Sequence, residues 1–266
     1  MSNTNAISER FVTARKSAEP LTDFPGELPA TLEEAYAIQT ASMESWPDKV
    51  AGWKVGMVPA PYRPKFAVDR IAGPIFNSTV VRVAAGATQR MPIYEGGFAA
   101  VEAEFILQLG ESIAPSKAEY SNHELAQLVS AMYVGVEIAS SPLATINELG
   151  PCAIISDFGN NAGLVVGPEV PDWSARALGD LKVLVAVDDK IVGDATADAI
   201  IGGPLQALRF LLQTCAERGL TLSEGALIST GAATGVHDVT VGSRARVGYP
   251  PFGWFEIEFE AMSPKQ

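Results

Sequence analysis

The stretch of sequence that decides the fold is Val101-Glu102-Ala103-Glu104-Phe105-Ile106-Leu107. Side chains alternate between the two faces of a strand, so Glu102 and Glu104 share one face and apolar residues occupy the other. Like charges held so close repel each other, and burying a carboxylate without a partner is costly. A divalent cation with oxygen ligands would remove both costs, and a solvated strand face would avoid them. The spacing alone leaves both interpretations open.

Two further runs bear on this choice. The run Trp254-Phe255-Glu256-Ile257-Glu258-Phe259-Glu260 repeats the alternation, and we interpret it as an amphipathic strand with one solvated face. Glu137 is an isolated acid inside the strand-like run Val134-Gly135-Val136-Glu137-Ile138-Ala139. Together with Glu102 and Glu104 it would give three carboxylates, enough to hold Mg²⁺ or Mn²⁺ and leave positions for water and substrate.

The composition is that of an acidic globular protein. The chain has 266 residues, 47% hydrophobic and 19% charged, enough for a sizeable core in one large domain or two small ones. Its formal net charge of -12 argues against nucleic acid as a partner. No stretch approaches the ~18 consecutive apolar residues of a membrane span, and residues 1–15 lack the apolar region of a signal peptide. We therefore expect a cytoplasmic protein that does not bind membranes.

Predicted strands outnumber predicted helices, without the strand–helix alternation of a doubly wound sheet. The predicted helices cover residues 7–17, 32–45, 121–132 and 204–218. The predicted strands cover residues 52–56, 79–83, 97–109, 133–138, 152–155, 163–166, 181–187, 190–192, 226–229, 243–247 and 255–260. We expect a helical arm over residues 1–48 packed on a mainly β body over residues 49–266, as two units or as one domain.

Other candidate residues each have an ordinary interpretation beside the functional one. Lys54, in the glycine-bracketed run 52–56, would extend to solvent or would face a substrate as a cation or proton carrier. Asp157 lies where a turn is the ordinary explanation. Residues 229–235 have a glycine-rich backbone that can approach a ligand, but they lack the lysine of a nucleotide-binding loop. We interpret His123 and His237 as surface residues.

The order of the short motifs is more specific than any one of them. The chain contains Gly-Trp-Lys-Val-Gly at 52–56, Val-Glu-Ala-Glu-Phe at 101–105, Val-Glu-Ile at 136–138, Ser-Asp at 156–157 with Asn-Ala-Gly-Leu-Val-Val-Gly at 161–167, Gly-Pro-Leu at 203–205 with Leu-Arg-Phe-Leu at 208–211, and Ile-Ser-Thr-Gly at 228–231. In this order they resemble the 2-keto-4-pentenoate hydratase family, part of the fumarylacetoacetate hydrolase superfamily. The resemblance extends from about Ile7 to Phe259.

The resemblance implies an α+β fold: a mixed β-roll of the fumarylacetoacetate hydrolase C-terminal type with a helical N-terminal region. It implies that Glu102, Glu104 and Glu137 hold a divalent metal ion, Mg²⁺ or Mn²⁺, and that Lys54 is the active-site lysine. Asp157, Thr230 and Gly231 become candidate substrate-binding residues. Family members act on short 2-oxo or 2-hydroxy-dienoic acids, whose carboxylate and 2-oxygen the metal chelates before water adds to the double bond.

The chain departs from the family pattern at three places. Ile71 stands where the family usually has an acid two residues before a glycine, and Asp69 is near it in sequence. Residues 140–142 read Ser-Ser-Pro where the family often has Asp-Ser-Arg, and Phe158 replaces the asparagine after Asp157. An isoleucine can neither orient water nor accept a proton. We therefore expect a conventional metal-bound end of the substrate and a distal end that is larger, more apolar or activated by another group such as Asp69.

The expected function is that of a metal-dependent lyase, a hydratase acting on a small 2-hydroxy-dienoic or 2-oxo acid in aromatic compound catabolism. The alternatives are a 2-oxo-acid decarboxylase or an acylpyruvate hydrolase of the same superfamily, and a non-catalytic metal-binding partner protein. We expect a homo-oligomer. The sequence does not name the substrate or choose between Mg²⁺ and Mn²⁺.

Overall fold

A computed structural model describes residues 3–116 and 119–265, which form a mixed α/β structure with two curled sheets. The helices of the described residues are α1 (Asn3–Ser17), α2 (Leu32–Ser45), α3 (Arg63–Phe66), α4 (Asn122–Gln127), α5 (Ile146–Leu149), α6 (Pro151–Ser156) and α7 (Pro204–Glu217). The strands are β1 (Val50–Met57), β2 (Arg70–Phe76), β3 (Val80–Arg82), β4 (Thr88–Ile93), β5 (Phe98–Leu109), β6 (Val129–Ser141), β7 (Asn161–Glu169), β8 (Lys182–Val187), β9 (Lys190–Thr196), β10 (Leu227–Ser229), β11 (His237–Asp238), β12 (Arg244–Tyr249) and β13 (Gly253–Ala261).

The larger sheet has the strand order β2-β1-β10-β5-β6-β7-β3, with β11 paired to β5, and the smaller sheet has the order β4-β13-β12-β8-β9. Three pairs are parallel, β1 with β10, β3 with β7 and β4 with β13, and the others are antiparallel. The larger sheet curls strongly: Ile75 of β2 lies in one apolar cluster with Leu164 and Val166 of β7, although four strands separate β2 from β7 in the sheet order. The mixed fold with curled sheets is as expected, whereas the β-roll of the fumarylacetoacetate hydrolase C-terminal type stays a prediction.

The two faces of β5 have different roles. Val101, Phe105 and their neighbours point into the main core, between the two sheets and against α7. This core includes Phe255 and Ile257 of β13 and Leu208 of α7. Apolar burial of this kind is worth about 25 cal/mol per Å². The opposite face of β5 carries Glu102 and Glu104.

The N-terminal helices pack on the glutamate side of the larger sheet. A second apolar cluster joins Ile7 of α1, Ile38 of α2, Ile155 of α6 and Ile71 of β2. Helix α2 begins with the expected capping box at Thr31, whose hydroxyl accepts the Glu34 N–H at 3.2 Å. The proposed division of the chain near residue 48 stays a prediction, and its two ranges include residues 1, 2, 117, 118 and 266, which lie outside the described residues.

Most predicted elements are confirmed, and two need correction. The predicted strand over 152–155 is wrong, because these residues lie in α6, which begins with Pro151 and is buried all round. A run of four apolar residues carries too little periodicity to distinguish a buried helix from a buried strand. The helix predicted to reach Met132 ends at Gln127, and β6 begins at Val129. No described helix combines the length and the apolar character needed to cross a membrane.

Candidate metal centre

The register of the two central strands brings the three predicted carboxylates together. Glu102 of β5 lies directly opposite Glu137 of β6, and Glu104 follows two residues along the same face. One carboxylate oxygen from each lies within 4.8 Å of the others. Their exposed fractions are 6% for Glu102, 1% for Glu104 and 0% for Glu137. The solvated-face interpretation of Glu102 and Glu104 is therefore wrong.

The glutamates of β13 provide the contrast. Glu256 and Glu258 are partly exposed and pair with arginines, Glu256 with Arg246 at 3.2 Å and Glu258 with Arg244 at 3.1 Å. Glu260 is exposed. The amphipathic interpretation of this strand is confirmed. The two similar sequence patterns differ because the glutamate face of β5 is buried, whereas the glutamate face of β13 is partly exposed.

Neighbouring groups hold two of the three carboxylates in place. Glu104 Oε2 accepts hydrogen bonds from the Ser229 hydroxyl at 2.6 Å and the Gly231 N–H at 2.8 Å. Glu137 Oε1 accepts one from Asn161 Nδ2 at 3.0 Å and lies 3.4 Å from Lys54 Nζ. Glu137 Oε2 is buried and has no hydrogen-bond partner. A buried carboxylate oxygen without a hydrogen-bond partner is a position where a cation would bind favourably.

The electrostatics of the site favour a bound cation. Burial raises the pKa of Glu102 to about 7, with Lys54 opposing and Glu137 reinforcing the shift. Burial and the charges of Glu137 and Glu102 raise the pKa of Glu104 well above its ordinary value. A divalent cation would hold all three carboxylates in their charged form. The donor set is oxygen only, which fits a hard cation such as Mg²⁺, Mn²⁺ or Ca²⁺.

Lys54 lies beside this cluster and is only 3% exposed, so its interpretation as a solvent-extending strand lysine is wrong. Its strand β1 lies between β2 and β10, where Lys54 is opposite Gly73 and Ser229. Nζ donates to Asn160 Oδ1 at 3.3 Å. Burial lowers the pKa of Lys54, but Glu137, Glu102 and Glu104 more than offset this, so the net pKa is raised. The ammonium therefore keeps its proton at neutral pH.

The predicted substrate-binding residues lie at different places. Gly231 has φ of +109° and turns its N–H to Glu104, and the buried Thr230 hydroxyl donates to the Phe105 carbonyl at 2.6 Å. Asp157 is not part of the carboxylate cluster, and both of its carboxylate oxygens accept hydrogen bonds from Arg15. Substrate binding by these three residues stays a prediction.

Arg15 and Asn161 are structural supports of the site that the sequence did not reveal. The Arg15 guanidinium donates to Asp157 and to the main-chain oxygens of Asn161 at 2.8 Å and Ser140 at 3.2 Å. Asn161 in turn donates to Glu137, so a chain of contacts joins α1 to a carboxylate of the cluster. The available signal was an arginine four residues after Phe11, on the apolar face of the first helix.

The departures at 69 and 71 also have defined positions. An ideal Cβ on Gly56 would lie 3.1 Å from Lys54 Nζ and 4.0 Å from Ile71 Cγ1, which places Ile71 beside the ammonium. Asp69 is 49% exposed at its side chain and pairs with Arg70 at 2.8 Å. The wall next to Lys54 is therefore apolar where the family pattern has an acid.

We predict that metal-free protein loses stability as the pH rises. A carboxyl whose folded pKa is raised contributes stability that is present below its unfolded pKa and lost as the pH rises through the folded pKa, about 7 for Glu102. Melting temperatures in EDTA should therefore fall between pH 5 and 8, ~2–4 °C per kcal/mol, more steeply than in Glu104→Gln. Mg²⁺ or Mn²⁺ in excess of the EDTA should abolish the fall in the wild type, because a bound cation keeps the carboxylates charged, and Glu258→Gln serves as the surface control. Parallel curves for the wild type and Glu104→Gln would contradict the charge cluster.

We predict that Arg15→Gln destabilises the fold by about 3–5 kcal/mol, because it leaves the buried Asp157 charge unpaired. The double variant Arg15→Gln/Asp157→Asn should recover much of this loss, since both charges are then gone. Urea unfolding measures the effect, and the exposed Arg10→Gln is the matched control. A double variant no more stable than Arg15→Gln alone would show that the pair does not act as a unit.

Comparison with known proteins agrees with the motifs. No family model matches the chain. The chain is 25% identical over 244 residues to a 2-keto-4-pentenoate hydratase of Burkholderia vietnamiensis, covering 87% of this chain and 89% of the relative. It is 26% identical over 240 residues to a 4-oxalocrotonate decarboxylase of a Pseudomonas species, covering 86% and 87%.

Solved structures share the fold. The 4-oxalocrotonate decarboxylase of Pseudomonas putida G7, complexed with magnesium and adipate, matches with a TM-score of 0.77 at 20% identity, over 96% of this chain and 97% of that chain. The fumarylpyruvate hydrolase of Pseudomonas aeruginosa, in complex with Mn²⁺ and pyruvate, matches with a TM-score of 0.57 at 17% identity, over 82% and 91%. The resemblance to 2-keto-4-pentenoate hydratases is thus confirmed by curated homologues of that name, and the fold is that of structures from the fumarylacetoacetate hydrolase superfamily.

Proposed function

We propose that this chain is a metal-dependent lyase acting on a small 2-oxo or 2-hydroxy-dienoic acid, with hydration as its first candidate reaction. The observation that carries the proposal is the buried cluster of three carboxylates, with Lys54 Nζ 3.4 Å from Glu137. The names of the relatives, hydratase and decarboxylase, support the same class of reaction.

Glu102, Glu104 and Glu137 would hold the ion, and Mg²⁺ or Mn²⁺ suits their oxygen donors. When bound, the ion supplies positive charge for the carboxylate and 2-oxygen of the substrate. Three of the similar solved structures are complexes with calcium, magnesium or manganese.

Lys54 is the proposed proton carrier and electrostatic partner of the substrate. Its ammonium is buried, charged and held by Asn160, so it needs no rearrangement to stabilise negative charge that develops on the 2-oxygen. The same nitrogen can give a proton to a substrate carbon and take it back. Gly231 and Thr230, next to Glu104, would line the bound acid.

The apolar wall at Ile71 makes decarboxylation a second candidate. Hydration needs a group that orients water at the distal carbon, and neither Ile71 nor Phe158 can do this. Loss of carbon dioxide needs only stabilisation of the electron pair left behind, and an apolar wall excludes water. For either reaction, we propose that the distal end of the substrate is larger or more apolar than in 2-hydroxypenta-2,4-dienoate. A cytoplasmic homo-oligomer in aromatic compound catabolism accords with this proposal.

We predict that the protein with Mg²⁺ or Mn²⁺ converts 2-oxo acids of this class, and that plain 2-hydroxypenta-2,4-dienoate is a poor substrate. Absorbance of the dienoate and product mass distinguish addition of water from loss of carbon dioxide. Turnover of 4-oxalocrotonate without hydration would select the decarboxylase, and cleavage of an acylpyruvate would select the hydrolase. Metal binding without turnover of any of these acids would leave a non-catalytic metal-binding partner protein. Rapid hydration of the plain dienoate would refute the proposed role of Ile71.

We predict that Lys54→Met lowers turnover by about 10²–10³, the usual effect of removing one preorganised charge-stabilising group. Metal affinity should stay the same or rise, because the substitution removes a positive charge beside the carboxylates. Steady-state kinetics and metal titration measure the two effects separately, and Lys182→Met, on the exposed side of β8, is the strand-lysine control. Unchanged turnover in folded, metal-loaded Lys54→Met would remove Lys54 from the mechanism.

A further inference from the structure

Arg218, which follows α7, carries a positive charge without an acidic partner. Its terminal nitrogens donate to Gln39 Oε1 at 2.9 Å and Thr40 Oγ1 at 3.1 Å, and both acceptors are neutral. Its Nε is buried and has no hydrogen-bond partner. Within residues 3–116 and 119–265, no carboxylate oxygen lies within 4.0 Å of this guanidinium.

The rest of the surroundings do not neutralise this charge. The guanidinium carbon lies 4.5 Å from the ring centroid of Tyr36 and 5.5 Å from that of Trp53. Cation–π contacts of this kind stabilise the guanidinium but leave its net charge in place. Burial lowers the pKa of Arg218, as expected for a desolvated cation. A largely buried charge without a counterion is costly, so an anion that reaches it would be bound favourably.

Arg218 lines a groove of about 460 Å³ between α2 and α7. The groove has apolar and aromatic walls that include Leu32, Tyr36, Val68 and Phe210. The other cation on its lining, Arg70, is already paired with Asp69 at 2.8 Å. The exposed Glu33 and Glu217 also line it. The groove thus combines the cation of Arg218, which has no acidic partner, with apolar and aromatic walls and two solvated carboxylates.

We propose that this groove binds a small aromatic or conjugated monocarboxylate, with its acid group against Arg218 and its apolar body along Tyr36 and Phe210. The volume is within the range of small-molecule sites, ~300–1,000 Å³. Glu33 and Glu217 disfavour a second negative charge on the ligand, so the site selects monoanions over dianions. The lining of this groove does not include Lys54 or any of the three clustered glutamates. The inference therefore does not depend on the proposed lyase activity.

The occupant would contact groups that adjoin the strand pairing of the metal centre. Tyr36 Oη accepts the Ala72 N–H at 2.9 Å, and Gln39 Nε2 donates to the Ala72 carbonyl at 3.0 Å. Ala72 precedes Gly73, which lies opposite Lys54 in the β1–β2 pair. Strand β2 therefore connects the two places: Ala72 contacts side chains at the groove, and the next residue, Gly73, pairs with Lys54. The side chain of Ala72 itself lies in the main core.

The experiment uses benzoate as the probe and the metal-free full chain in EDTA. Calorimetric titration should show one benzoate per chain, with weaker binding of neutral benzamide and of terephthalate, whose second carboxylate would face Glu33 and Glu217. Arg218→Gln should weaken benzoate at least ~10-fold, the effect of losing a hydrogen bond to a charged group. The exposed Arg176→Gln should bind like the wild type.

A second variant keeps Arg218 in place. Ala37 is exposed and lines the groove, so Ala37→Trp should fill the groove and abolish benzoate binding. Because Ala37 lies on the exposed side of α2, the substitution should leave the fold intact. Benzoate binding that is unchanged in both Arg218→Gln and Ala37→Trp would overturn the proposal. So would the absence of binding at millimolar benzoate, or an oligomer in which a neighbouring copy places a carboxylate on Arg218.

Discussion

Mutual repulsion of Glu102, Glu104 and Glu137 in the dry interior is the constraint that the surrounding structure has to offset. A single uncompensated carboxylate at such a position costs several kcal/mol, and a pair of them costs more. Four donors offset this repulsion. They are the ammonium of Lys54 in β1, the amide of Asn161 in β7, the hydroxyl of Ser229 at the end of β10 and the main-chain N–H of Gly231. These donors come from strands that are far apart in sequence, so the cluster exists only in the assembled sheet.

The smaller sheet also contributes to the position of the carboxylates. Tyr249 of β12 reaches across the core, and its hydroxyl accepts the Glu104 N–H at 3.0 Å and donates to the Gly135 carbonyl. Glu104 and Gly135 lie opposite each other in the β5–β6 pair, so the tyrosine hydroxyl holds the backbone of both residues and thereby the position of Glu104. Its pKa is raised well above the ordinary value because it is buried, which keeps the hydroxyl protonated as a donor.

The sequence identifies candidate residues whose chemical type and local setting stand out. Glu102, Glu104, Glu137 and Lys54 are such candidates, since each is a charged residue in a strand-like run, but only the order of the surrounding motifs favours a common site over a solvated face. Arg15 is not such a candidate, because its importance arises from contacts with residues more than a hundred positions away. Asp157 was identified as a site residue, but no local pattern could show that its partner would be Arg15. The strand predicted over 152–155 failed because a short apolar run fits a buried helix equally well.

The ion pair between Arg15 and Asp157 also constrains how the chain can fold during synthesis. The two residues are 142 positions apart, and loop closure over such a distance is slow relative to the formation of local structure. Helix α1 is synthesised before β6, α6 and the start of β7, so the hydrogen-bond acceptors of the Arg15 guanidinium become available only after those elements have been made. Helices α1 and α2 can pack together first, through Ile7 and Ile38, but the ion pair of Arg15 belongs to a later step, when β6, α6 and β7 have assembled.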